Sequence, residues 1–72
     1  MNAGGMLKKR SFTLSGHRTS VALEAEFWAV IDTCAQREGK ALAALVAQID
    51  ASRGERPLAS ALRLFALAAK DR

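Results

Sequence analysis

Few side chains in this sequence have the chemistry for catalysis or metal binding. The 72 residues include one histidine, His17, and one cysteine, Cys34. An internal disulfide needs two cysteines, and a structural zinc site needs four ligands that are usually Cys and His. The sequence also contains no glycine-rich phosphate loop and no nucleophile–base motif. We therefore expect no metal, no cofactor and no enzymatic activity, with Cys34 as a reduced packing residue.

The basic side chains are concentrated near the start of the chain. Residues 8–23 (KKRSFTLSGHRTSVAL) contain Lys8, Lys9, Arg10 and Arg18 and no acidic residue. Residues 24–72 contain seven basic and seven acidic residues, so the net charge of +4 lies entirely in the earlier segment. Because clustered Lys and Arg side chains attract polyanions, this segment predicts a phosphate-binding surface.

Polar and β-branched or apolar residues alternate over residues 18–23 (RTSVAL), which predicts a β-strand. A single strand leaves its backbone N–H and C=O groups unpaired and is not stable alone. A chain this short also buries a small share of its surface, and here neither a disulfide nor a metal compensates. We therefore expect a second copy of the chain to pair with this strand in a homodimer.

The segment before the strand allows two interpretations. Residues 1–7 have no periodicity and are expected to be a disordered lead, and residues 8–16 form a basic arm before a domain of residues 17–72. Ser15 and Gly16 fit either a tight hairpin turn, which folds Phe12 and Leu14 back onto the strand, or a kink. The short arm favours the kink.

The rest of the chain predicts three helices, at residues 24–38, 41–52 and 57–70. Apolar residues recur at helical spacing in each of them. Gly39 suits the end of the first helix, and Pro57 suits the first turn of the third. The third helix is apolar around most of its circumference, so we expect it to be buried or shared with another subunit. No apolar run is long enough to span a membrane, and we expect a cytoplasmic protein.

This order of elements resembles the ribbon-helix-helix DNA-binding proteins of the Arc/MetJ/CopG type, and within them a small bacterial branch. The resemblance lies in the stretches KRS (9–11), GHRTS (16–20), LEAEFW (23–28), ID (49–50) and SALR (60–63). It implies a mainly α fold in which strands of two chains form an antiparallel ribbon, followed in each chain by two helices and here by a third, C-terminal one. It also implies an intertwined homodimer whose ribbon enters the DNA major groove.

The resemblance, combined with strand alternation, implies roles for individual residues. The expected base contacts are Arg18, Ser20 and Ala22, on one face of the strand. Ala22 and Ala41 lack the polar side chains common at these positions in the family. A larger share of the DNA affinity is therefore expected from the basic arm. The expected phosphate contacts, which include the N-terminus of the second helix, are Lys8, Lys9, Arg10, His17, Lys40, Ala41 and Leu42. The expected dimer core consists of Thr19, Val21, Leu23, Phe27, Trp28, Ile31, Leu45 and Ile49.

Two functions fit this pattern. The first is sequence-specific binding of double-stranded DNA by a homodimer, as a transcriptional repressor. The second is a protein-interaction module, such as an antitoxin, whose apolar helix at residues 58–69 binds a partner protein. The sequence leaves open whether dimers pair into tetramers on DNA. Asp50 is expected to form a structural ion pair with Arg53 or Arg63.

Overall fold

Two antiparallel strands precede three helices in the computed structural model, which describes residues 6–70. The elements are β1 (Leu7–Leu14), β2 (His17–Glu24), α1 (Ala25–Glu38), α2 (Leu42–Ser52) and α3 (Leu58–Lys70). Each helix begins one residue after its predicted start, so the spacing of apolar residues in the sequence predicted the positions of all three helices. None of the helices in this part of the chain is long and apolar enough to cross a bilayer.

The two strands form a hairpin, so the hairpin interpretation is confirmed and the kink is wrong. Eight residue pairs join them, from Leu7 opposite Glu24 to Leu14 opposite His17. The two residues between the strands, Ser15 and Gly16, have φ values of 52° and 81°. Positive φ at both central positions is what a type I′ turn requires, and this turn matches the twist of paired strands.

The basic arm is a regular strand, Leu7–Leu14. It pairs over its whole length because Phe12 and Leu14 alternate with polar residues and bury their side chains under the sheet. Leu7, which was assigned to the disordered lead, is the first residue of β1. The remainder of that predicted lead, apart from Met6, lies outside the described residues.

Strand β2 consequently has a pairing partner in its own chain. β1, which was not expected to be a strand, occupies one edge of β2. The ribbon-helix-helix order of elements is confirmed, and pairing of the second edge of β2 with a strand of another copy stays a prediction. A second copy is therefore not required to complete the ladder between these two strands.

The core lies between the inner face of the hairpin and the three helices. Trp28 is its largest member and is 1% exposed. Of the eight residues expected in a dimer core, six are buried within this single chain, while Thr19 and Phe27 are half-buried. The six are Val21, Leu23, Trp28, Ile31, Leu45 and Ile49. Their burial leaves little of this set for an interface with another subunit.

Helix α3 is an integral layer of this core. Its buried face consists of Ala61, Leu62 and Ala66, and α3 contacts both α1 and α2. Its opposite face exposes Leu64 and Leu67, each 47% accessible. The third helix was expected to be buried or shared with another subunit, and the structure shows that one of its faces is buried.

The two faces of α3 allow a test of its place in the core. Leu62 is fully buried, so Leu62→Ala should lower the free energy of unfolding by roughly 2–5 kcal/mol through lost burial and a residual cavity. The matched control, Leu64→Ala, should change it by about 0.5 kcal/mol or less. Urea denaturation followed by circular dichroism measures both. Equal effects would show that α3 does not pack in this orientation.

Candidate nucleic-acid interface

One side of the hairpin is lined by small polar and basic side chains. Lys9 lies opposite Ala22, Ser11 opposite Ser20, and Thr13 opposite Arg18. Because side chains alternate along a strand, these six residues share the face that points away from the helices. All are exposed except Ala22, which is half-buried. We call this surface the polar face; its members are Lys9, Ser11, Thr13, Arg18, Ser20 and Ala22.

The polar face combines two positive charges with several hydrogen-bonding groups and has no acid. At its centre the Ser11 and Ser20 hydroxyls lie 2.9 Å apart and hydrogen-bond to each other. An arginine can donate two hydrogen bonds to guanine O6 and N7, and hydroxyls can donate or accept with several bases. A two-stranded ribbon also has the width that the major groove admits. The surface thus has the chemistry and the dimensions for reading base edges.

Half of this surface was not identified from the sequence as base-contacting. Arg18, Ser20 and Ala22 were expected on one face, and the structure places them together. Lys9 was expected only as a phosphate contact, and Ser11 and Thr13 were given no role. The alternation of Ser11 and Thr13 with Phe12 and Leu14 is the sequence signal that places them on this face of a strand.

Arg10 points to the opposite side of the hairpin from Lys9. Its Nη1 donates to Asp32 Oδ1 at 2.9 Å, and its Nη2 donates to Asp32 Oδ2 at 3.3 Å. Its guanidinium carbon lies 4.6 Å from the centre of the Trp28 ring, within the range of a cation–π interaction. The structure therefore does not bring Arg10 to the polar face with Lys9, although both were expected to contact phosphate.

Trp28 holds the same strand through its ring nitrogen. Its Nε1 donates to the Lys8 carbonyl oxygen at 2.8 Å, and its ring centre lies 6.0 Å from that of Phe12. We call this set the β1 clamp; it comprises Arg10, Asp32, Trp28 and the Lys8 carbonyl. Since Asp32 and Trp28 both belong to α1, the clamp fixes β1 to the first helix.

The other residues expected at phosphates are placed around the sheet and at the start of α2. The Lys8 and His17 side chains are exposed. Lys40 is engaged locally, with its Nζ 2.6 Å from Gln48 Oε1 and 3.1 Å from Glu38 Oε1. Ala41 is the N-cap of α2 and Leu42 its first residue, and no side chain caps this helix end. Its first backbone N–H groups are thus open to an acceptor from outside the chain.

An ion pair joins the end of β2 to α3. Arg63 Nε donates to Glu24 Oε1 at 3.0 Å. A backbone hydrogen bond at Glu24 and then the bond from Arg63 lower the pKa of the Glu24 carboxyl below its usual range. A lowered folded-state pKa means that this stabilisation is present above the carboxyl's unfolded pKa and is lost as the pH falls through the folded one. Asp50 forms its expected ion pair with Arg53, whose Nε lies 2.7 Å from Asp50 Oδ1.

The β1 clamp predicts different consequences for two neighbouring basic residues. Arg10→Ala should lower the free energy of unfolding by roughly 1–2 kcal/mol, since it removes a half-exposed ion pair and a cation–π contact. Lys9→Ala should change it by about 0.5 kcal/mol or less. Thermal and urea denaturation provide the measurement. A Lys9 variant as destabilised as the Arg10 variant would contradict the assignment of Arg10 to the clamp.

Comparison with known proteins gives one match. No curated protein and no solved structure matches the chain. The model of the ribbon-helix-helix domain family matches residues 7–69, which include both strands and nearly all of the three helices. Domains of this family generally bind DNA, as transcription regulators or antitoxins, and they dimerise. With the match covering most of its length, the chain belongs to the ribbon-helix-helix domain family.

Proposed function

We propose that this protein binds specific sequences of double-stranded DNA as a homodimer and acts as a transcriptional repressor. The observation that carries the proposal is the polar face, which presents Arg18, Lys9 and three hydroxyl side chains on a two-stranded ribbon. Family membership supports DNA binding as the activity. Such a protein would act in the bacterial cytoplasm, where the chromosome lies.

Within the polar face, we assign the central side chains to bases. Arg18 is the strongest candidate, because its two donors match guanine, and the Ser11 and Ser20 hydroxyls lie beside it on the same face. Thr13 lies directly opposite Arg18 and adds a hydroxyl. Ala22 offers apolar contact to a thymine methyl group. Both strands of one chain would then share the recognition of a single stretch of groove.

The phosphate contacts are distributed differently from the basic run in the sequence. We assign Lys8, Lys9 and His17, whose side chains are exposed, to the DNA backbone. The start of α2 remains a proposed anchor, through the backbone N–H groups of Ala41 and Leu42 with Lys40 beside them. Arg10 is assigned instead to positioning β1, because Asp32 and Trp28 hold its guanidinium.

Dimerisation in this proposal serves DNA recognition more than folding. The residues expected in a dimer core are largely covered within one chain, and β2 already has a partner strand. Two copies bring two ribbons, and a symmetric dimer binds two half-sites whose sequences mirror its two-fold axis. The second copy therefore adds affinity and specificity to a unit that is already closed.

A second candidate is the antitoxin function, in which α3 also binds a partner protein. The observation that favours it is the pair Leu64 and Leu67, which lie side by side on the outer face of α3 and are each 47% exposed. The inner face of α3 belongs to the core, so only this outer ridge would be available to a partner. The two functions are compatible, since an antitoxin of this family can bind DNA through its ribbon.

Arg18 provides the test of base recognition. Arg18→Ala should weaken binding to the preferred duplex by roughly 1–3 kcal/mol and relax the preference at one base position. Arg56→Ala removes the same charge from an exposed site outside the sheet and is the matched control. Selection from a random duplex library, followed by titration of the selected site, measures both effects. An Arg18 variant with unchanged preference would refute its role at bases.

Lys9 provides the test of phosphate binding. Each neutralised phosphate contributes about −0.9 to the slope of log affinity against log salt, so Lys9→Ala should make the slope less negative by about that amount. Its effect should be similar on all DNA sequences. Arg10→Ala, measured below its melting temperature, should leave the slope close to that of the parent protein. Equal changes for both variants would place Arg10 at the DNA and contradict the proposal.

A further inference from the structure

We propose that Asp32 limits how strongly this protein binds DNA regardless of sequence, because it holds the guanidinium of Arg10 away from the phosphates. This role rests on the proposed function, since it presupposes that the protein binds DNA. Asp32 belongs to α1 and acts only through Arg10, so it is a positioning residue that makes no contact with DNA itself.

The basic segment at residues 8–23 does not present its whole charge to a polyanion. It carries four basic side chains and no acid of its own. Within residues 6–70, Arg10 pairs with Asp32, whereas Lys8, Lys9 and Arg18 have no ion pair. The carboxylate of Asp32 therefore offsets one positive charge of the segment and leaves the other three free.

The guanidinium of Arg10 is held on two sides by side chains of α1. Its Nη1 and Nη2 donate to the two carboxylate oxygens of Asp32, at 2.9 Å and 3.3 Å. Its carbon lies 4.6 Å from the centre of the Trp28 ring. Two parallel hydrogen bonds to one carboxylate fix an arginine in a defined orientation. Both Nη atoms are thereby directed at α1, and a phosphate can take their hydrogen bonds only by displacing Asp32.

Distance alone does not keep Arg10 from the DNA. The side chains of Arg10 and Asp32 are 38% and 39% exposed, so the pair lies at the surface. Lys8, Lys9 and Arg10 also border one cavity between β1 and α1, which Asp32 lines as well. Neighbouring residues of a strand are only about 3.3 Å apart along its axis. A phosphate bound by Lys8 or Lys9 would thus lie close to Arg10, and the carboxylate is what restrains this arginine.

The competition between the two acceptors favours Asp32 in the parent protein. If Arg10 turned to a phosphate, one ion pair would replace another, and the carboxylate of Asp32 would be left unpaired beside a polyanion. Like charges brought together in this way repel, so the exchange is unfavourable. An amide at position 32 removes both effects, because it is a weaker acceptor and carries no charge. Phosphate then becomes the better partner for Arg10.

The experiment measures the affinity for a duplex of arbitrary sequence at several salt concentrations. In Asp32→Asn, the released Arg10 should neutralise one more phosphate, so the slope of log affinity against log salt should become more negative by about 0.9. The affinity of the variant relative to the parent should then fall about 3.5-fold between roughly 50 and 200 mM salt. Asp32→Glu retains the carboxylate and should keep a slope close to that of the parent.

A combined variant separates the release of Arg10 from the simple loss of a negative charge. Asp32→Asn together with Arg10→Ala should return the slope to that of the parent, because the arginine that gains the phosphate is absent. Glu26→Gln is the matched control, since Glu26 is an exposed acid of α1 with no ion pair among residues 6–70. It should leave the slope close to the parent value. Circular dichroism should show every variant folded at the temperature of the titrations.

The outcomes distinguish this role of Asp32 from the proposed function. An unchanged slope in Asp32→Asn would overturn the inference, and so would a steeper slope that persists when Arg10→Ala is added. In both cases the parent would still bind DNA, and the proposed function would stand. A parent with no salt-dependent affinity for any duplex would refute the proposed function and, with it, this role of Asp32.

Discussion

The pairing of β1 with β2 is the interaction on which the rest of the structure depends. It satisfies the inner backbone edge of β2, buries Phe12 and Leu14 beneath the sheet, and creates the polar face from residues of both strands. Without β1, the same β2 would expose an unpaired edge and an uncovered apolar face, and it would need another chain. Within this chain, β1 therefore supplies one edge partner and the apolar cover that β2 needs.

Strand alternation also divides the basic run into two functions. Lys9 and Arg10 are adjacent in sequence, yet a strand directs them to opposite sides of the sheet. Lys9 faces solvent with Arg18, whereas Arg10 lies over Trp28 and pairs with Asp32. One positive charge therefore remains available for a polyanion while its neighbour is used to hold the strand that carries both. The net charge of the segment does not distinguish these two uses.

The sequence was sufficient for the helices and insufficient for the ribbon. Apolar spacing, Gly39 and Pro57 located three helices to within one residue at their starts, because these signals are local. The hairpin depended on Ser15 adopting positive φ, which few residues other than glycine do, so its turn carried a weak signal. The partners of Arg10 and Arg63 could not be predicted, since each is set by the register and by packing between elements more than twenty residues apart.

The closed core changes what a second copy can contribute. A homodimer inferred from a lone strand and a short chain would be obligate, because neither subunit could bury its core alone. With Trp28, Leu23 and Leu62 buried inside one chain, the subunit has its own core, and association can be weaker and separable from folding.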